Sequence, residues 1–243
     1  MGGGIDWKKL LAIVAAVAVG VFAWHTKAVY PLKLLVVLIH ESGHALAAKL
    51  VGGTVESITI DTLEGGLCSF RYQPTFLHEV VTASAGYLGS ALSGALLLIA
   101  TLRYQRGRWV LGLLSAGLLV VCLLWARSPF TIAVALGMSA LLGLATRFFP
   151  PELAQLTALF IGVFNSLYAL FDLKDDLWSA ERRAGTDAAL LAKATHIPSI
   201  VWAVLWTLIA VGMLAFALWF SARGSKPRGS LSGPAPRQKP RPA

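Results

Sequence analysis

Charged side chains are scarce in this sequence, since Asp, Glu, Lys and Arg make up only 14% of its 243 residues. A soluble globular domain carries about 25% charged residues, so the composition argues against a soluble protein. Cysteine is nearly absent as well. Cys68 and Cys122 are too few and too far apart to form the disulfide framework of a small secreted domain.

Acidic residues are also few, with 12 Asp and Glu against 21 Lys and Arg, and the formal net charge is +9. The basic residues cluster at the ends of apolar segments and in the C-terminal tail, without interleaved aromatic side chains. Anionic lipid headgroups account for this placement better than nucleic acid does. We therefore expect a lipid bilayer as a partner and no nucleic acid.

Apolar residues fill most of the chain, at 56% of the sequence and a mean hydropathy of +0.69. Seven apolar segments are each close to the length needed to cross about 30 Å of hydrocarbon. They cover roughly residues 10–24, 28–50, 80–102, 109–126, 130–146, 153–171 and 197–220. The sequence predicts an all-α polytopic membrane protein with about seven transmembrane helices.

The two ends of the chain carry separate predictions. The first apolar segment is short and follows two lysines, so a cleaved signal peptide competes with a retained helix, which we favour because no small-residue cleavage site follows. Residues 1–220 are predicted to form one membrane domain. Residues 221–243 are rich in Pro, Arg, Lys, Gly and Ser, and we expect a disordered basic tail.

Residues 54–72 differ in kind from the apolar segments. TVESITI alternates polar and apolar residues, a turn follows at 61–66, and LCSFRY resumes the pattern. This predicts a small β-hairpin between the second and third helices. Two interpretations stay open: an ordinary surface hairpin, or an edge that captures an extended peptide by strand addition.

The third apolar segment carries Gly86, Ser90 and Gly94 at a spacing of four residues. Small residues at this spacing share one helix face and allow another helix to approach closely. We interpret this face as a packing surface rather than as part of a reactive site.

One motif in the second segment points to chemistry. His40, Glu41 and His44 form HExxH within the apolar stretch VVLIHESGHALAAKL. On a helix the two histidines lie one above the other and can bind one zinc ion, while Glu41 can act as the catalytic general base that takes a proton from water. Ionisable residues inside a membrane segment are costly, which indicates a functional role.

A catalytic zinc site needs a third protein ligand. If all seven segments cross, the second and sixth run in the same direction, which places Asp172 near the depth of the motif. Asp175 and Asp176 share its helix face but resemble a solvated loop. We predict Asp172 as the third ligand, with Asp176 as a less favoured alternative; a contribution from His78 and Glu79 is not favoured.

Four stretches occur together in the chain: LLVVLIHESGHALAAKLVGG, SAGYLGSALSG, SLYALFDLKDD and TDAALLAKATHIPSIVWAVLW. In this combination the sequence resembles the M50 family of intramembrane zinc metallopeptidases, the site-2-protease-like group, and more narrowly its bacterial M50B-like branch. The resemblance implies a polytopic fold, zinc as cofactor, His40 and His44 as ligands, and Glu41 as general base.

The third ligand is where the sequence departs from the better-known members. Those use an NPDG-like or LDG-like motif, whereas Asp172 is followed by Leu and Lys. Asp187, in TDAA, belongs to the pattern of the branch and is a further candidate ligand.

The sequence as a whole predicts a membrane-embedded zinc endopeptidase, in a bacterial cell membrane, that acts on membrane or membrane-proximal proteins. The alternative is a non-catalytic scaffold or a metal-binding or transport protein that retains the fold. A transporter would place polar ligands along a path through the bilayer, whereas the polar groups here gather at one level.

Overall fold

The computed structural model describes residues 7–178 and 186–223, with the side chains at 8–10 and 172–178 outside the description. The predicted tail is outside the described residues from 224 onward. The described part is built from helices and one hairpin, in this order: α1 Trp7–Ala23, a 3-10 turn Lys27–Val29, α2 Tyr30–Leu50, β1 Thr54–Ile60, β2 Gly66–Arg71, α3 Phe76–Leu98 with a π turn Ile99–Arg103, α4 Gly107–Trp125, α5 Pro129–Phe148, α6 Pro151–Trp178, α7 Asp187–Thr195 and α8 Ser199–Ala222.

Five helices of the described part are long and apolar enough to cross a membrane: α3 with its π turn, α4, α5, α6 up to Phe171, and α8. Helices α1 and α2 pass the same test only together, and the chain bends by 110° at the break between them. They form either one broken span or a re-entrant pair, because so sharp a bend prevents one straight crossing. The structure thus supports five or six spans, and the count of seven stays a prediction.

Local sequence explains where the helices begin and end. Ser128 caps α5 by accepting a hydrogen bond from the amide of Thr131, and Pro129 takes the first helical position, where no amide hydrogen is needed. Thr75 caps α3 in the same way. Helix α2 ends at Leu50, two residues before Gly52, whose φ of +80° suits a glycine.

Strands β1 and β2 pair antiparallel, with Ile58 opposite Cys68 and a bulge between Val55 and Ser57. The outer edge of β1 is occupied, because Ile58 forms a parallel bridge with Ala126 in the α4–α5 connection. The amide of Ile60 also donates to Thr131 Oγ1 at 2.9 Å. Among the described residues, no further strand pairs with the outer edge of β2.

The hairpin turn is fastened to the start of α2. Lys33 Nζ lies 2.9 Å from Glu64 Oε2 in a partly buried ion pair, and the Tyr30 hydroxyl donates to the carbonyl of Thr62 at 3.0 Å. Asp61 Oδ1 accepts hydrogen bonds from the amides of Leu63 and Gly65, which closes the turn. These contacts hold the hairpin turn beside the first turn of α2.

Helix α3 packs tightly between α2 and α6 through its small residues, as the sequence predicts. A Cβ on Gly43 of α2 would clash with the carbonyl of Ala85, and one on Gly94 would clash with Ser166 of α6. Asn165 of α6 donates to the carbonyl of Ser90 at 2.9 Å. Close backbone approach and this buried hydrogen bond fix α3 at the centre of the fold.

Candidate metal centre

Three polar side chains of α2 point from one face of the helix into the protein. His40, Glu41 and His44 are each about 5–6% exposed, which is unusual for ionisable groups. The Nε2 atoms of His40 and His44 lie 3.2 Å apart. The helical spacing of four residues therefore brings the two imidazoles together, as the sequence predicts.

A carboxylate from a distant part of the chain completes the cluster. Asp187 Oδ2 lies 3.1 Å from His44 Nε2 and 3.4 Å from His40 Nε2. Asp187 is the first residue of α7, and Thr186 caps that helix through the amide of Ala189. Among the described residues, these three side chains are the group whose ligand atoms could hold one metal ion.

Aromatic packing fixes the position of α7. Ala188 and Leu191 of α7 are buried in a cluster with Tyr87 of α3 and with Trp202 and Trp206 of α8. Trp206 also donates from Nε1 to Ser84 Oγ of α3 at 3.0 Å. The carboxylate at the start of α7 is thereby held over the histidines of α2.

The spacing of the three ligand atoms fits zinc. In a tetrahedral site with bonds of about 2.0–2.1 Å, any two ligand atoms lie about 3.3 Å apart. The three separations here are 3.1, 3.2 and 3.4 Å. Two imidazoles and one carboxylate are also a common ligand set of catalytic zinc, in which a fourth position stays open.

The histidine rings are oriented for this role. His44 Nδ1 donates to the carbonyl of Thr82 at 2.8 Å, which places the free lone pair of the neutral ring on Nε2. The His40 ring lies edge-on between Tyr87 and Tyr168, at centroid distances of 4.9 and 5.9 Å. His44 is held by a hydrogen bond, whereas His40 is held by aromatic contacts.

Charge also suits a metal ligand at Asp187. Burial raises the pKa of this carboxyl, but the adjacent imidazoles of His44 and His40 together outweigh burial and hold the pKa well below its ordinary value. The site therefore favours the ionised carboxylate, the form in which Asp187 could bind zinc.

The space for an ion exists because α3 carries a glycine there. A Cβ on Gly86 would fall against the Nε2 atoms of both His40 and His44, closer than any ordinary contact. A Cβ on Gly66 of β2 would likewise fall against Glu41 Oε1. Two glycines on different elements thus leave room beside the ligands and beside the predicted base.

A cavity of about 660 Å³ opens onto the cluster. Its walls come from α2, the hairpin, α3, α6 and α7. The lining residues on the hairpin side are Glu64, Gly65, Gly66, Leu67, Cys68 and Phe70. Strand β2 therefore runs along the cavity that contains the ligand atoms and Glu41.

A model of the Peptidase M50B-like family matches residues 12–217, which is most of the chain. The chain belongs to the Peptidase M50B-like family. No curated protein and no solved structure matches it. The chain is thus an integral membrane protein of a metallopeptidase family, as the resemblance of its motifs indicates, while the bacterial origin stays a prediction.

In this M50B-like protein the structure brings four of the predicted site residues into one cavity. Asp187 joins His40 and His44, and Glu41 lines the same cavity. The predicted ligand Asp172 and its alternative Asp176 lie on α6, but their side chains are outside the described residues. Tyr168 of the same helix lines the cavity.

Several residues that shape the site of this M50B-like protein belong to no motif, so the sequence alone would not identify them. Thr82 orients His44 through its backbone carbonyl, which any residue could supply. Tyr87 and Tyr168 look like ordinary helix-packing aromatics. His78 does not join the metal cluster and bonds the carbonyl of Gln73 at 2.7 Å, whereas Glu79 reaches the cavity wall.

The space beside Gly86 can be tested with a matched pair of variants. Gly86→Ala is expected to lose bound zinc, because its Cβ would occupy the position between the two imidazoles. Gly89→Ala on the same helix is expected to retain zinc, because its Cβ would meet only Gly43 Cα at 3.5 Å. Elemental analysis of the purified proteins measures both. Equal zinc content in the two variants would contradict this position for the ion.

Proposed function

We propose that this protein is a membrane-embedded zinc endopeptidase that hydrolyses peptide bonds of membrane or membrane-proximal proteins. The observation that carries the proposal is the tetrahedral spacing of His40, His44 and Asp187 next to Glu41 in one cavity. Membership of the M50B-like family agrees with this chemistry.

His40, His44 and Asp187 would hold the zinc ion. This assignment favours Asp187 over Asp172 as the third ligand, because its carboxylate lies within 3.4 Å of both imidazoles. A zinc ion bound there supplies a Lewis acid that polarises the scissile carbonyl and lowers the pKa of the attacking water.

Glu41 is the general base of the proposed reaction. It follows His40 directly on α2, lines the cavity, and borders the space left by Gly66. Its carboxylate takes the proton of the attacking water and can return it to the leaving amine. A site for metal storage or transport would need no such base, so the presence of Glu41 favours catalysis over a non-catalytic scaffold.

Strand β2 would hold the substrate in an extended conformation. Carbonyl groups of a helical substrate are hydrogen-bonded within the helix and resist attack, so the substrate must unwind locally. The β1 edge is already occupied by Ala126, whereas β2 faces the cavity with Gly66, Leu67 and Cys68. An extended peptide could pair with β2 by strand addition, which favours the substrate-binding interpretation of the hairpin.

The role of Glu41 can be tested by Glu41→Gln. The variant is expected to keep its zinc and to lose about 10²–10⁴-fold in turnover, because an amide cannot accept the proton. Comparing membrane proteomes of cells that carry the parent and the variant should reveal substrates that accumulate uncleaved. Glu152→Gln, an exposed change at the start of α6, is the control. Undiminished cleavage by Glu41→Gln would show that Glu41 is not the base.

The third ligand can be tested by comparing Asp187→Ala with Asp172→Ala and Asp176→Ala. At a zinc concentration of about 100 Kd, binding stabilises a protein by about 2.7 kcal/mol. Asp187→Ala should lose most of this stabilisation, while the two α6 variants keep it. Thermal unfolding with and without zinc measures the effect. Loss in Asp172→Ala with retention in Asp187→Ala would reassign the ligand to Asp172.

Strand addition can be tested with peptides derived from a substrate found in the proteomic comparison. Methylating one backbone nitrogen at a time removes one hydrogen-bond donor. Because alternate residues of a strand point their backbone groups to opposite sides, cleavage should fall at every second position. A uniform response along the peptide would argue against pairing with β2.

A further inference from the structure

The cavity is acidic although the chain as a whole is basic. Its described lining residues include Glu41, Glu64, Glu79 and Asp187, and no Lys or Arg is among them. The formal net charge of the chain is +9, so this local excess of carboxylates runs against the composition. A cavity of this charge favours cationic groups on whatever enters it.

Three of these four carboxylates already have a role. Glu41 and Asp187 belong to the proposed zinc site, and Glu64 is paired with Lys33 at 2.9 Å. Glu79 differs, since it lies in the first turn of α3 at the cavity wall and is half-buried. This carboxylate is therefore the one placed to meet a substrate rather than the ion.

The neighbours of Glu79 are aromatic. Tyr72 lies beside Glu79, and burial together with the charge of Glu79 raises the pKa of Tyr72. Phe70 stacks on Tyr72 with ring centroids 5.5 Å apart, and both rings line the cavity. A carboxylate beside aromatic faces is the environment that binds a guanidinium or ammonium group.

The distance from this wall to the zinc site can be read along α3. Glu79 and Gly86 are seven residues apart on one helix, which corresponds to a rise of about 10 Å. An extended peptide spans that distance with about three residues. The two places are also connected, because the Thr82 hydroxyl lies 3.2 Å from the Tyr72 hydroxyl while the Thr82 carbonyl holds His44.

Membrane proteins carry such cations close to their apolar segments. Lys and Arg are enriched in the residues that flank transmembrane helices, and their long side chains extend away from hydrocarbon towards polar groups. A membrane protein cut close to the end of a span would therefore bring a basic side chain into the cavity together with the scissile bond.

We propose that Phe70, Tyr72 and Glu79 form a subsite for a lysine or arginine side chain of the substrate, about three residues along the extended chain from the scissile bond. This inference rests on the proposed peptidase function and deepens it. The substrate class is a membrane protein whose cleaved segment carries a basic flank.

The test measures binding, so it does not depend on turnover. The full-length Glu41→Gln protein, loaded with zinc, is titrated with fluorescein-labelled dodecapeptides of Val and Thr. Each peptide carries one Arg, one Gln or one Glu, moved through the central positions. We expect the best Arg peptide to bind about tenfold more tightly than its Gln counterpart, as a charge-assisted hydrogen bond allows.

Substitutions of Glu79 assign the preference to this side chain. Adding Glu79→Gln should abolish the preference for Arg, and adding Glu79→Arg should transfer it to the Glu peptide. The matched control Glu152→Gln removes the same charge at the start of α6, about 24 Å along the helix from Tyr168, and should leave the preference intact. Unchanged zinc content shows that each variant is folded.

Two results would overturn the proposal. One is a preference for Arg that survives Glu79→Gln, and the other is equal binding of all three peptides by the starting protein, including no binding at all. The proposed function fails separately, if cells carrying the parent and cells carrying the Glu41→Gln variant show no difference in cleaved membrane proteins. A charge preference without proteolysis would support the subsite and contradict the peptidase function. Proteolysis without a charge preference would contradict only the subsite.

Discussion

The close contact between α2 and α3 is the constraint on which the site depends. A Cβ on Gly43 would meet the carbonyl of Ala85, and a Cβ on Gly86 would meet the imidazoles of His40 and His44. The helices can approach this far only because neither position carries a side chain. The same contact brings the Thr82 carbonyl to His44 and the Tyr87 ring to His40. The contact that packs α2 against α3 therefore also orients the imidazole rings of His40 and His44.

Irregular backbone beside the membrane helices is tolerated where its polar groups find partners or line a cavity. The hairpin satisfies this condition on one side, since β1 is bridged to Ala126 and hydrogen-bonded to Thr131. On the other side β2 borders the cavity. The Lys33–Glu64 ion pair fixes the turn, so the open edge is presented in a defined position beside Glu41.

Much of the fold follows from local sequence. Apolar run lengths predict the membrane helices, alternation predicts the hairpin, and Gly86, Ser90 and Gly94 predict the packing face of α3. The number of spans is not settled by run length, because α1 and α2 are separate apolar runs that meet at a bend of 110° and qualify as a span only as a pair. A bend between two helices depends on how they pack against the rest of the chain. The periodicity of apolar residues does not predict such packing.

The sequence by itself determined the pair of imidazoles and the adjacent carboxylate proposed as the base, because a helical repeat places His40, Glu41 and His44 together whatever surrounds them. Only the tertiary structure placed Asp187 beside them. That carboxylate is 143 residues from His44 in the chain and begins a short helix whose position depends on Tyr87, Trp202 and Trp206. The acidic wall at Glu79 likewise exists only once β2 and α3 are packed, since local periodicity carries no information on contacts between separate elements.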